Sequence, residues 1–248
     1  NSRLVAFIDV LGFKNIVYSA STDLINTYYS FLLSNFQEAV KKRNFEFLLI
    51  SDSIVIYCND DAESLAELIK LISILQAGLL GKQIIVRGAI SHGDLFVDKT
   101  NNIIVGKGLI NAFNLEAQAK FPRVIVDRSI VSKYFGTFIQ MIEKNKVNGL
   151  PHIETRPLNF CPLDYPYLNY GRILATYVSN KPFEAALNLI RENYYRNDQI
   201  EKYEWLKAHI IQSLKDQHEY LNALPELSKN EKSRLRRVSK YVLDFEAL

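Results

Sequence analysis

Two aspartates of this sequence stand where strands are predicted to end. Asp9 lies near the end of residues 3–10, an apolar, β-branched run that is typical of a buried strand. Asp52 lies at the turn between two further strand-like runs, residues 45–50 and 53–57. Two carboxylates a few ångströms apart repel each other unless a proton or a cation lies between them. If the turn and the strand end meet, the pair suits a hard divalent cation such as Mg²⁺ or Mn²⁺.

A pair of such ions favours one kind of chemistry. Two divalent ions about 3.5 to 4 Å apart polarise an attacking hydroxyl and bind the leaving oxygens of a phosphate, which is phosphoryl or nucleotidyl transfer. The turn after Asp9 fits this chemistry. Gly12 permits close approach to the backbone, and the amide groups that enter the next helix would face a polyphosphate.

The predicted order of elements would bring the two aspartates together. A helix is predicted over residues 22–42, because capping residues precede apolar positions at helical spacing. After the hairpin, Asp60 and Asp61 begin a second helix, and residues 83–91 form another strand. Strand, helix, strand, strand, helix, strand is the split βαβ order of ferredoxin-like and palm domains, an α+β fold. In that fold the end of the first strand lies beside the hairpin turn.

The rest of the chain is predicted to be mainly helical. We predict a catalytic domain over residues 1–175 and an α-helical extension, packed on it, over residues 176–248. Prolines interrupt residues 136–172, which are predicted to be loop-like. The other predicted elements are helices at 106–119, 128–135, 183–195, 198–222 and 226–245 and a strand at 123–127.

The composition is that of an ordinary globular protein. Of 248 residues, 48% are hydrophobic and 23% are charged, which excludes a disordered or fibrous chain. The net charge of +3 is too small to indicate a nucleic-acid partner. Cys58 and Cys161 are too far apart to suggest a zinc site or a disulfide framework. With neither a membrane-length apolar run nor a signal-peptide pattern, we expect a cytoplasmic protein without membrane insertion.

Four motifs, in order, resemble those of the class III nucleotidyl cyclases. FIDVLGF (7–13) is similar to the first metal motif of that family, and LISDSIVIY (49–57) to its hairpin with the second metal aspartate. VRGAISHGDL (86–95) is similar to the fourth strand of the family. VGKGLINAFNLEAQAKFPRVIVD (105–127) is similar to the segment that carries further catalytic residues. The resemblance covers about residues 3–130.

The resemblance implies a nucleotide cyclase with a class III catalytic domain. In such an enzyme the ribose 3′-hydroxyl attacks the α-phosphorus and pyrophosphate leaves. Two Mg²⁺ or Mn²⁺ ions per site would be held by Asp9, Asp52 and the main-chain carbonyl of Val10. A homodimer with two equivalent active sites at its interface is implied as well. The residues implied to contact the nucleotide are Val10, Leu11, Gly12, Phe13, Leu48 and Ser51.

The sequence departs from the family where the base is read and the transition state is supported. Purine-cyclising members usually have a base-reading lysine at the position of Leu48. They also have an asparagine and an arginine four residues apart, and these align with Ile110 and Asn114. Asn111, one position along, is a candidate for the asparagine, and Asn114 is a second candidate catalytic residue. The candidates for the missing cation are Arg87 and Arg123.

Further segments are similar to the bacterial pyrimidine cyclases of the Pycsar antiphage system. These segments are RGAIS (87–91), LDYPYLNYG (163–171) and KYEWLKAHI (202–210). The resemblance implies that UTP, or next CTP, is converted to its 3′,5′-cyclic monophosphate during phage infection. The cyclic product would then activate a separate effector.

Other interpretations remain open. A purine cyclase or a dinucleotide synthase would use the same aspartates, although the hairpin lacks the Gly-Gly-acid-acid-Phe turn of the diguanylate type. A degenerate module that only binds a nucleotide would explain the absent arginine at position 114, but it has no need of two converging carboxylates. In a purely structural interpretation, Asp9 caps a helix, Asp52 is a turn residue and Leu48 is a core residue.

Overall fold

A mixed β-sheet of seven strands forms the centre of the part of the chain that the structure describes. The structure is a computed structural model, and it describes residues 1–18, 22–101, 103–143, 146–147, 150–151, 157–160, 163–176, 180–194 and 199–248. In chain order the strands are β1 (Ser2–Val10), β2 (Glu46–Ile50), β3 (Ser53–Asn59), β4 (Val86–Asp94), β5 (Phe96–Asp98), β6 (Ile103–Val105), β7 (Val124–Val126), β8 (Lys146–Val147), β9 (Leu150–Pro151), β10 (Leu158–Asn159) and β11 (Tyr167–Leu168).

The order of the strands confirms the predicted palm fold. Across the sheet the order is β10-β11-β7-β4-β1-β3-β2, and β1 pairs antiparallel with both β3 and β4. Strands β2 and β3 form the predicted hairpin, whereas β4 and β7 are parallel. Because β3 is the neighbour of β1, the end of β1 lies beside the turn between β2 and β3.

Helices cover both faces of this sheet and continue at the C-terminal end of the chain. Among the described residues, no helix is long and apolar enough to cross a membrane. In chain order the helices are α1 (Phe13–Tyr18), α2 (Thr22–Phe31), α3 (Gln37–Lys41), α4 (Ala62–Leu80), α5 (Lys107–Glu116), α6 (Arg128–Lys133), α7 (Phe135–Glu143), α8 (Gly171–Thr176), α9 (Lys181–Asn193), α10 (Ile200–Ala223) and α11 (Lys229–Glu246).

The helix predicted over residues 22–42 is present but interrupted. A π-helical turn, Leu32–Phe36, separates α2 from α3. The buried residues of this segment recur at every fourth position, and in an α-helix that spacing drifts around the axis by roughly 40° per step. The wider π turn reduces this rotation around the axis, so that all the buried residues of the segment stay on the same face. These buried residues are Tyr28, Leu32, Phe36 and Val40.

The two faces of the central sheet carry different layers. Helices α2, α3 and α4 supply the main hydrophobic core, which includes Leu4, Ala6 and Ile8 of β1. Helix α5 packs on the opposite face, against β4 and β1. Glycines permit this close approach, because a Cβ added at Gly93 would lie only 2.8 Å from the backbone nitrogen of Gly108.

The prediction that residues 136–172 are loop-like is wrong in part. Helix α7 begins at Phe135, and strands β10 and β11 extend the main sheet beside β7. Pro157 and Pro166 directly precede these strands, where the missing N–H interrupts no ladder bond. Their carbonyls accept hydrogen bonds from the chain, for example from Val126 to Pro166 at 2.7 Å. Cys161, with the proline that follows it, lies outside the described residues.

The C-terminal helices enclose a second hydrophobic core. Helices α8 to α11 supply most of it, and Phe183 stacks on Tyr241 with ring centroids 4.5 Å apart. Ala77 and Leu80 of α4 join this core, and Leu11, just after β1, packs against it. The helical layer therefore contacts the turn that follows Asp9.

Candidate active site

A row of side chains crosses the sheet on the face that α5 covers. Arg87 of β4 lies opposite Asp9 of β1. On the other side of Asp9, the Ser53 hydroxyl donates a hydrogen bond to Asp9 Oδ1 at 3.2 Å. Ile50 of β2 pairs with Ser53 and completes the row. Because side chains alternate along a strand, Asp9 shares this face with Phe7 and points away from the main core.

The structure brings together the two aspartates that the sequence selects. Asp52 lies in the hairpin turn, directly before Ser53. Burial is the largest cause that raises the pKa of Asp9 from 3.8 to about 6, and the negative charges of Asp52 and then Glu116 add to it. The hydrogen bond from Ser53 and the charge of Arg87 act in the opposite direction. A cation placed between the two aspartates would relieve this repulsion.

The donors at this position fit Mg²⁺ or Mn²⁺. Carboxylate and main-chain carbonyl oxygens suit hard divalent cations, and Asp9, Asp52 and the carbonyl of Val10 would supply them. In the described ranges, no group of three or more histidine, cysteine, aspartate or glutamate side chains could hold a metal ion. The remaining ligands would therefore come from nucleotide phosphates and water.

Two adjacent tyrosines of α2 fix the hairpin turn. The Tyr28 hydroxyl donates a hydrogen bond to the main-chain carbonyl of Asp52 at 3.0 Å, and the Tyr29 hydroxyl to that of Ser51 at 2.9 Å. Burial, with the nearby tyrosine and aspartates, raises the pKa of Tyr28, so its hydroxyl stays protonated. The ring of Phe13 lies 6.1 Å from that of Tyr28. Sequence reasoning assigned neither tyrosine a role at the site, because both are ordinary residues for a helix with one buried face.

The turn after β1 is fixed on one side and open on the other. Gly12 has φ 77°, and its carbonyl accepts hydrogen bonds from the N–H groups of Asn15 at 2.9 Å and Ile16 at 3.3 Å. A Cβ added at Gly12 would meet nothing within 4 Å. The N–H of Leu11 donates to the carbonyl of Ile85 at 2.9 Å. This space beside Gly12 is where the sequence predicts contact with phosphates.

Arg123, one of the two arginines predicted as a cation source, is held by structural contacts. It is 3% exposed, and its Nε donates to the carbonyl of Ala119 at 2.9 Å. Its guanidinium forms an ion pair with Asp164 at 2.7 Å and lies 5.4 Å from the ring centroids of both Phe121 and Tyr167. A side chain with these contacts is not free to reach a phosphate.

Arg87 is the arginine beside Asp9. Its Nε forms an ion pair with Glu116, the last residue of α5. The Arg87 side chain is 30% exposed, whereas that of Glu116 is 8% exposed. Burial raises the pKa of Glu116, and the charge of Arg87 opposes this rise. Sequence reasoning assigned no role to Glu116, because its partner became visible only when α5 was placed over β4.

Leu48 lies one row behind the aspartate row. It pairs with Val55, and Val55 pairs with Phe7. These residues form a small hydrophobic cluster with α5, in which Leu48 is only half-buried. Its accessible part is on the same face as Asp9, and contact with a nucleotide base stays a prediction.

Asn111 does not lie together with the aspartates in one chain. Asn111 is exposed, and its Nδ2 lies 3.5 Å from the carbonyl oxygen of His92. His92 lies roughly 16 Å along β4 from Arg87, at about 3.3 Å per residue. Asn114 is also exposed on α5. Asn111 would therefore reach the aspartates only from a second copy of the chain.

Comparisons with known proteins give similar folds and no family match. No protein-family model and no curated protein matches the chain. It is similar to the monomeric guanylyl cyclase domain of the RhoGC fusion protein from the aquatic fungus Blastocladiella emersonii, with 16% identity, TM-score 0.47, and 67% of this chain and 94% of that chain covered. It is similar to the adenylate/guanylate cyclase/hydrolase from Silicibacter pomeroyi, with 16% identity, TM-score 0.44, and 68% and 96% covered. It is also similar to the adenylyl cyclase CyaB from P. aeruginosa, with 16% identity, TM-score 0.40, and 53% of this chain and 79% of that chain covered.

Proposed function

We propose that the protein is a nucleotide cyclase that uses two divalent metal ions. The observation that carries the proposal is the meeting of Asp9 and Asp52, where burial and the charge of Asp52 raise the pKa of Asp9 to about 6. Two facing carboxylates are unfavourable unless a proton or a cation stabilises them. The strand order and the four motifs that resemble class III cyclases support the same function.

The proposed reaction is an in-line displacement within one nucleotide. The ribose 3′-hydroxyl gives its proton to solvent water and its oxygen bonds to the α-phosphorus, while the bond from that phosphorus to the α,β-bridging oxygen breaks and pyrophosphate leaves. Bound divalent ions would lower the pKa of the hydroxyl and offset charge on the phosphates. The chain would position the reactants: Asp9 and Asp52 would hold the ions, and the open side of Gly12 would receive the phosphates. Arg87 presents a cation beside them.

We expect the substrate to be a pyrimidine triphosphate, UTP before CTP. Leu48 occupies the position at which purine-cyclising relatives have a lysine, and an apolar side chain cannot donate a hydrogen bond to a purine. The segments that resemble Pycsar cyclases support this choice. On the same resemblance, the cyclic product would activate a separate effector in antiphage defence.

The active site is proposed to be completed across a homodimer. The face that carries Asp9 also carries exposed apolar side chains, and Phe113 contacts Phe7 edge-on with ring centroids 5.2 Å apart. Burial of this surface against a second copy is favourable. It would bring Asn111 or Asn114 of one copy to the aspartates of the other. The exposed side chains are Ile50, Ile110 and Phe113, which are 52%, 54% and 56% exposed.

Product formation from each nucleotide tests this function. The purified chain is incubated with ATP, GTP, CTP or UTP and Mn²⁺, and products are identified by mass spectrometry. We expect cyclic UMP, and a loss of activity in Asp9→Asn and Asp52→Asn greater than the roughly 10- to 100-fold typical of outer-shell changes. Asp94→Asn is the control, because Asp94 is an exposed carboxylate at the far end of β4. Cyclic AMP or cyclic GMP would replace the pyrimidine proposal with the purine one.

A nucleotide-binding module without turnover is the second candidate. Asn114 favours it, because the resembling cyclases have their transition-state arginine at this position. No product from any nucleotide, together with calorimetric binding of UTP and Mn²⁺, would select the binding module. Turnover that survives in both aspartate variants would contradict the two-metal site.

A further inference from the structure

Glu116 and Arg87 form a partly buried ion pair next to the candidate metal site. Glu116 ends α5, and the close packing of α5 on β4 places its carboxylate against the Nε of Arg87. The Arg87 side chain is 30% exposed, so part of its guanidinium is accessible to an anionic ligand.

Arg87 is also placed where it could compete with a metal ion. It is the direct cross-strand neighbour of Asp9. Directly opposite residues of an antiparallel pair have Cβ atoms about 4.5 to 5.5 Å apart, within reach of a long side chain. A guanidinium that contacted Asp9 would form a charge-assisted pair and occupy the carboxylate oxygens that a divalent ion needs.

The contacts of Arg87 and Asp9 indicate that this competition is weak in the present arrangement. The Arg87 guanidinium pairs with Glu116, and among the described residues no ion pair joins it to Asp9. The hydrogen bond to Asp9 comes from Ser53, not from Arg87. The guanidinium is therefore held by Glu116 although Asp9 is directly opposite.

We infer that Glu116 is a positioning residue that keeps the Arg87 guanidinium off Asp9, so that Asp9 and Asp52 stay available to divalent cations and the Nη groups of Arg87 face the substrate phosphates. This inference rests on the proposed function. Without Glu116, Arg87 would turn to the nearest carboxylate, Asp9, and exclude the ion. Outer-shell residues of this kind change metal affinity by about 10- to 100-fold.

The test is Mn²⁺ binding to the full chain without nucleotide, followed by electron paramagnetic resonance at about pH 8, where Asp9 is ionised. Glu116→Gln is expected to weaken binding by about 10-fold. The double variant Arg87→Gln/Glu116→Gln keeps the net charge and is expected to bind within about twofold of wild type. Glu67→Gln, which removes the partner of Arg43 in another ion pair, is the control and should change nothing.

A second Mn²⁺ titration in about 1 M KCl distinguishes two causes of weaker binding: direct contact of Arg87 with Asp9, and the long-range effect of the lost Glu116 charge. In this salt the screening length is about 3 Å, so only the effect of direct contact remains. A weakening that persists in this salt supports the inference, and one that vanishes overturns it. Wild-type affinity in Glu116→Gln overturns it as well. If Glu116→Gln does not fold, the double variant is the test. Mn²⁺ binding about 10-fold tighter in the double variant than in the wild type would mean that Arg87 already competes with the ion for Asp9 in the wild type, and this would overturn the inference. Normal Mn²⁺ effects without any cyclic product would reject the cyclase and retain the inference, whereas a wild type that binds no Mn²⁺, either alone or together with UTP, would reject both.

Discussion

The hydroxyl of Tyr28 donates a hydrogen bond to the main-chain carbonyl of Asp52, and the two atoms are 3.0 Å apart. This bond ties α2 to the tip of the hairpin. A second bond, from Tyr29 to Ser51, attaches the same tip one residue earlier. The position of one candidate metal ligand is therefore set by a helix that packs on the other face of the sheet.

Tyr28→Phe should loosen the hairpin without removing the aromatic ring from the core. We expect the free energy of unfolding to fall by about 1 kcal/mol, the usual net value of one hydrogen bond. Mn²⁺ affinity should fall by about 10-fold, because Asp52 is less well placed. Urea unfolding and Mn²⁺ titration measure the two effects. Tyr18→Phe is the control, since Tyr18 is 78% exposed, and equal behaviour of the two variants would contradict the role of Tyr28.

Gly12→Ala should strain the turn after β1. The added methyl group would meet no atom within 4 Å, but φ 77° is unfavourable for alanine. We expect unfolding free energy to fall by about 1 to 2 kcal/mol in a urea titration. Gly136→Ala is a matched control, because its methyl group also enters open space, in α7 and without a positive φ. It should be neutral or stabilising by up to about 1 kcal/mol, and identical losses in both variants would refute the strain.

The elements of the palm were predictable because each has a clear period. The apolar run that ends at Asp9, the hairpin around Asp52 and the cap at Asp61 all appear in the structure, and the Asp61 side chain accepts from the Ser64 N–H at 2.8 Å. The strand order then follows from the sequence of elements. Strands β10 and β11 were missed because two-residue strands have no period to detect.

The residues that support the site were less predictable than the aspartates. Tyr28 and Glu116 act through neighbours that lie far away in the sequence, Asp52 and Arg87. Their types are ordinary for helices with one buried face, so spacing alone gives no sign of a role. For Arg123 the sequence suggested a role that its contacts do not allow, because its ion pair with Asp164 became visible only in the folded chain.

His209 should make the helical extension sensitive to acid. Its ring stacks on Trp205 with centroids 5.0 Å apart, and its Nε2 accepts a hydrogen bond from the Gly171 N–H at 3.3 Å. Burial lowers the pKa of His209 from 6.5 to about 3. The unfolded chain therefore takes up a proton below pH 6.5 that the folded chain refuses, and stability is lost as the pH falls from 6.5 towards 3.

Unfolding followed by the fluorescence of Trp205, the single tryptophan of the sequence, measures this effect. We expect His209→Gln to reduce the loss of stability on going from about pH 7 to about pH 4. His218→Gln, on the same helix but at its surface, should keep the wild-type dependence. An unchanged pH profile in His209→Gln would contradict the buried neutral histidine.

Asp9 should give the opposite pH dependence, and a divalent cation should reverse it. Its pKa is raised from 3.8 to about 6, so the folded chain holds this proton more tightly than the unfolded chain. The resulting stability is present below pH 3.8 and is lost as the pH rises through about 6. Without metal, Asp9→Asn should therefore raise the Tm at about pH 8 and change it little near pH 3.8.

The same proton should compete with Mn²⁺. At about pH 8 the ion would take the place that the proton has left, and Mn²⁺ should raise the Tm of the wild type but not that of Asp9→Asn. At about pH 5 Asp9 is mostly protonated, and the stabilisation by Mn²⁺ should be much smaller. Circular dichroism melts at both pH values measure this, with Asp94→Asn as the control. Equal stabilisation of wild type and Asp9→Asn by Mn²⁺ at about pH 8 would mean that the ion binds elsewhere. The proton on Asp9 competes with the ion only if Asp9 is itself a ligand to that ion.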